Sequence, residues 1–122
     1  MKPVVLVFIG GGLGSVVRYL VHKGVTMLHQ LSFPLGTLTV NIVACFVLGL
    51  IIGLADHKQL LSPDARIFWA VGFCGGFSTF STFSAETLAL FQQPAVVPAL
   101  VYIVASVLLC LGATVLGLYL GR

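Results

Sequence analysis

Residues 72–87 read GFCGGFSTFSTFSAET. Two adjacent glycines, Gly75 and Gly76, are followed by five hydroxyl side chains in the seven residues 78–84 and by phenylalanines at 77, 80 and 83. The residues on either side are apolar enough to be a membrane helix. Glycine is the weakest helix former after proline, so the helix is expected to break near Gly75-Gly76. A break at membrane depth releases backbone carbonyls and N–H groups that lipid cannot satisfy. Protein, water or an ion must do so. Single serines and threonines in a span usually bond back to their own helix. Ser78, Thr79, Ser81, Thr82 and Ser84 either satisfy the backbone groups of the break or present a ladder of hydroxyls to a permeating ion.

The rest of the chain fits that setting. Of its 122 residues 59% are hydrophobic and 7% charged, with a mean hydropathy of +1.16. A soluble domain of this size needs more polar surface. About 20 apolar residues cross a bilayer core of about 30 Å, and the chain divides into four such stretches, about 3–28, 35–55, 65–91 and 95–120. They form one all-α transmembrane domain. The apolar runs are too long and do not alternate, which excludes a β-barrel. MKPVVLVFIGGGLG has the look of a signal peptide, but no polar domain follows it, so it reads as the first span. Pro34, Pro63 and Pro94 sit at or beside helix starts, and Ser62-Pro63-Asp64 caps the third span. The net charge of +3 comes without any basic cluster, so no nucleic-acid partner is expected.

Each span carries one GxxxG pair: Gly10 and Gly14, Gly49 and Gly53, Gly72 and Gly76, Gly117 and Gly121. Such faces let helix backbones approach closely in lipid. GGGLGS lacks the third glycine and the preceding strand of a dinucleotide fingerprint. Cys45, Cys74 and Cys110 have no metal-site spacing and read as small buried hydrophobes.

Four spans put both termini on one side, with Lys2, Lys58, Arg66 and Arg122; Lys23 lies on the other. The excess weakly favours cytoplasmic termini. Arg18 lies inside the first span. It either snorkels to the interface or lines a water-filled vestibule that attracts anions. Glu86, toward the end of the third span, either works within the membrane or reaches headgroup water.

Further residues suit an anion. A phenyl edge carries positive partial charge and holds an anion weakly enough to release it. Asn41, deep in the second span after Thr37 and Thr39, is either interhelical glue or a neutral donor. Tyr102 and Ser106, followed by Cys110 and Thr114, form a polar row at i,i+4 spacing. His22, His29 and His57 lie near span ends without a nucleophile or ligand cluster, and no catalytic constellation appears.

GGGLGSVVRY, GTLTVNIVACFVLG and GFCGGFSTFSTFS together resemble the Fluc (CrcB) family of fluoride channels, in order through all four spans. The resemblance implies an antiparallel, dual-topology homodimer in the cell (inner) membrane. It would contain two pores that export fluoride passively and confer fluoride resistance. It also implies a structural Na⁺ on the dimer axis, held by backbone carbonyls of Gly75 and Ser78. Phe80 and Phe83 would be pore phenylalanines, Asn41 the pore amide, and Ser81 and Thr82 the hydroxyl track. Tyr102 and Ser106 match polar positions of the fourth span. Cys110 stands where a hydroxyl is common. The partners implied are fluoride, a second copy and membrane lipid. The rival is a small four-helix, dual-topology drug/proton antiporter, which needs an embedded carboxylate, typically in the first span. That span has no acid here.

Overall fold

A computed structural model describes all residues, 1–122, and it is helical with no strand. Helix α1 spans Lys2–Leu28 and α2 spans Leu35–Asp56. The third crossing is composite. A short α3, Pro63–Arg66, runs into a π-helical stretch, Ile67–Phe73, then into α4, Cys74–Phe77; after an extended break, α5 covers Phe80–Phe91. Helix α6, Val97–Gly121, closes the chain. Three helices, α1, α2 and α6, are each long and apolar enough to cross a membrane unaided. This is a membrane protein.

Local chemistry sets several of these ends. Ser62 Oγ accepts the Ala65 N–H at 3.1 Å, which caps α3 where Pro63 needs no partner. The fourth crossing begins at Val97, two residues later than the apolar run suggests. Asp56 and Asp64 hold one end of the molecule together. Asp64 pairs with Lys2 at 2.5 Å and Asp56 with Arg66 at 2.9 Å. These pairs are exposed and contribute little stability, but they gather the start of α1 and the α2–α3 connection on one side.

The glycine pairs explain the packing. A Cβ at Gly10 would overlap the Phe68 carbonyl, one at Gly14 the Phe73 carbonyl, and one at Gly76 the Gly11 carbonyl. Helix α1 and the first half of the third crossing therefore touch backbone to backbone. The same holds for α2 and α6. Gly49 abuts the Thr114 carbonyl and Gly117 abuts the Phe46 carbonyl. In lipid no hydrophobic force drives helices together, so this close van der Waals contact holds the pairs. Phe77 joins the pairs: it packs with Val40 and Ala44 of α2 and stacks on Phe73.

Gly112 faces open space. Gly76→Ala is therefore expected to lower the thermal stability of the detergent-solubilised protein by about 1–3 kcal/mol, the usual cost of overpacking. Gly112→Ala should leave it unchanged or raise it slightly. Equal melting of the two variants would contradict the close-packing account.

Candidate ion path

The third crossing breaks at Ser78-Thr79, not at the glycines. Gly75 and Gly76 remain helical within α4, while Ser78 (φ −77°, ψ 158°) and Thr79 (φ −152°, ψ 112°) are extended. Gly76 is spent on contact with α1. The break is made by side chains that outbid the helix for its own backbone groups. The Thr79 N–H donates to Asn41 Oδ1 at 2.8 Å, and Asn41 Nδ2 donates to the Thr79 carbonyl at 3.1 Å. One amide thus clamps both backbone groups of a single extended residue. Thr79 then starts α5. Its Oγ1 accepts the Thr82 N–H at 3.2 Å, the geometry of an N-cap.

This arrangement has a consequence for two carbonyls. In an unbroken helix the Thr79 N–H would bond the Gly75 carbonyl and the Thr82 N–H the Ser78 carbonyl. Both donors are turned elsewhere. Gly75 is exposed on the surface, and a Cβ there would meet nothing. The Gly75 and Ser78 carbonyls therefore lack those helical partners. Oxygen donors of this kind suit a hard cation.

Beside the break lies a groove of about 350 Å³, bounded by α2, the break and α6. Asn41, Phe80, Phe83, Ser106 and the thiols of Cys45 and Cys110 line it. Phe80 is 77% exposed and projects from the surface; its ring lies 5.5 Å from that of Phe83, which in turn leans on Tyr102 at 5.1 Å. Ser106 Oγ is buried without a hydrogen-bond partner. A buried hydroxyl without a partner is costly at membrane depth, and this one stands beside the groove.

The other candidate residues divide. Thr82 turns to a second hollow of about 200 Å³, shared with Arg18, His22 and Thr37. Its hydroxyl accepts from Thr79 Oγ1 at 3.0 Å. Ser81 is exposed, 3.4 Å from the same Thr79 oxygen. Ser78 bonds back to the Cys74 carbonyl at 2.8 Å. Tyr102 is wholly buried, and its hydroxyl donates to Glu86 Oε2 at 2.8 Å instead of lining the groove. Thr37 donates to Glu86 Oε1, also at 2.8 Å, and His22 Nε2 stands 3.9 Å from that oxygen. Glu86 is thus a hydrogen-bonded node between α2, α5 and α6, and its half-buried side chain also lines a hollow beside the α1–α2 connection. Thr79 is among the hydroxyls expected to satisfy backbone at the break, and it does so as the cap; its clamping by Asn41, His22 beside Glu86 and Cys45 in the groove wall are not foreseen from the sequence.

The CrcB-like protein, Camphor Resistance (CrcB) family model matches residues 5–118. A protein of Pyrococcus furiosus is 45% identical over 122 residues, with 100% of this chain and 98% of the relative covered. Relatives from Pyrococcus abyssi (43%) and Flavobacterium psychrophilum (39%) show the same coverage. All three carry the name fluoride-specific ion channel FluC. The residues that clamp the break and line the groove all fall inside the matched region, and the chain belongs to the CrcB-like protein family.

Proposed function

We propose that the chain is a passive, fluoride-selective anion channel of the cell inner membrane. Two copies in opposite orientation assemble into two pores. The observation that carries this reading is the neutral groove beside the clamped break. It offers an unpartnered Ser106 hydroxyl, the remaining N–H of Asn41 and the ring edges of Phe80 and Phe83. The names of the relatives supply the ion. A compact anion needs short, strong donors to replace its hydration shell, and it needs a lining without full positive charge to let go again. These groups meet both demands.

A single copy leaves the groove unfinished. Phe80 projects outward and the Gly75 face is bare, which supports a second copy walling the path. A two-fold axis through the break brings the Gly75 and Ser78 carbonyls of both copies together. Those carbonyls would hold a Na⁺. A bound cation satisfies backbone oxygens that lipid cannot and makes the surrounding potential attractive to anions. Arg18, in the second hollow, adds positive charge at the approach.

Export then needs no fuel. Fluoride enters acidified cells as neutral HF and dissociates in the more alkaline cytoplasm. An inside-negative potential drives the anion out with about 2.3 kcal/mol per 100 mV. Fluoride resistance follows. The antiporter reading needs a carboxylate open to exchange, whereas Thr37 and Tyr102 occupy both oxygens of Glu86.

Potassium-fluoride-loaded liposomes at neutral pH distinguish the two. Efflux is expected to start when valinomycin supplies a counter-current of K⁺ and to need no pH gradient. Efflux that requires a pH gradient and ignores valinomycin would overturn the channel reading.

A further inference from the structure

Helices α2 and α6 run parallel in a fixed register. A Cβ on Gly49 would meet the Thr114 carbonyl, and one on Gly53 the Leu118 carbonyl, four residues further along each helix. One turn the other way, the same register sets Cys45 opposite Cys110, and a further turn sets Asn41 opposite Ser106. All four line the groove. The backbones touch at Gly49, so the helix axes are near their closest approach where the thiols face each other. The Cys45 and Cys110 side chains therefore sit on facing turns and share the groove wall. Both are partly buried and unoxidised. No third His, Cys, Asp or Glu completes a larger ligand set.

We propose that Cys45 and Cys110 form a two-coordinate site for a soft monovalent cation of the Cu(I)/Ag(I) class, in the wall of the ion groove, whose occupation blocks conduction. Thiolate sulfur selects soft cations, and a pair without further donors suits ions content with two ligands, unlike zinc. The chemistry balances without an oxidant. Two S–H bonds break, two S–Ag bonds form, and two protons leave to water. The site passes from neutral to a net charge of −1. It therefore narrows the groove and repels the anion at the same step. The blocking consequence rests on the proposed function; the binding itself does not.

Silver ion, added as nitrate in chloride-free buffer, is the probe. The protein carries Cys74→Ala so that only the pair remains. In detergent, titration calorimetry and native mass spectrometry should show one tightly held Ag⁺ per chain, with two protons released. Cys45→Ser and Cys110→Ser should each lose that tight phase, as should the matching alanine variants if serine disturbs the packing. In liposomes, Ag⁺ should stop fluoride efflux by the parent and spare the single variants, each compared with its own silver-free flux. Tight binding that survives Cys45→Ser, or stoichiometry below one per chain, would overturn the site. A parent that binds Ag⁺ tightly yet conducts unhindered would overturn the block. A parent that moves no fluoride even without silver would instead count against the channel, with the binding titration still deciding the site.

Discussion

Asn41→Asp is expected to abolish fluoride conduction. The substitution keeps one half of the clamp, because a carboxylate oxygen still accepts the Thr79 N–H. It destroys the other half. An oxygen replaces the Nδ2 that donates to the Thr79 carbonyl at 3.1 Å, and two acceptors now oppose each other. It also puts a negative charge in the groove wall. At about 4 Å from a passing anion, like charges repel by about 4 kcal/mol at an effective dielectric constant of about 20, which corresponds to roughly a thousandfold loss of rate. Asn41→Ala separates the two effects. It adds no charge but strands the Thr79 N–H and carbonyl, so it should cost about 1–3 kcal/mol per unpaired group. That loss appears as lower thermal stability. Fluoride efflux and melting of the purified variants measure both. Conduction at the parent rate in Asn41→Asp would remove the groove from the ion path.

Phe80→Ile and Phe83→Ile should each lower flux sharply, by about tenfold or more, for a different reason. Isoleucine fills comparable space without a ring edge, so the positive rim that faces the anion is lost. Phe80 is the cleaner test. At 77% exposure it supports little within the subunit, and its replacement should leave folding intact. Phe83 also leans on Tyr102, which belongs to the buried cluster with Leu38, Leu90 and Ala99, so a modest loss of stability is expected there. Fluoride-electrode efflux, with size-exclusion chromatography as the folding control, decides the matter. Parent-like rates in both variants would eliminate ring electrostatics from the mechanism.

Much of the architecture was legible because lipid imposes simple rules. The apolar runs read directly as helices, and the glycine pairs at four-residue spacing do pack backbone to backbone in the fold. The break was legible in outline but displaced by a few residues. Gly75-Gly76 announces a weak helix, yet weakness does not decide where a helix opens. Competition for backbone groups does, and the competitor, Asn41, lies 38 residues away in sequence. No local propensity carries that information. Asn41 itself reads along the chain as either glue or donor; its two hydrogen bonds to Thr79 make it glue, and it also stands in the groove wall.

The polar row of α6 shows the same limit. Tyr102, Ser106 and Cys110 share a face, as their spacing requires, but spacing cannot say what the face meets. Tyr102 meets Glu86, Ser106 meets no protein partner, and Cys110 stands across the groove wall from Cys45. Those fates depend on the parallel register of α2 and α6, which the facing glycines fix only once the helices are paired. Likewise Glu86 reads along the chain as an acid near a span end. Two hydroxyls from different helices make it a hydrogen-bonded node.

The central claim is that uncharged donors around a clamped helix break pass fluoride and refuse its larger relatives. Fluoride and chloride efflux from vesicles made with the same purified protein, each driven through valinomycin, tests it most directly. The account predicts rapid loss of fluoride and chloride retention like that of protein-free vesicles. Comparable efflux of both ions, or retention of both, would contradict it.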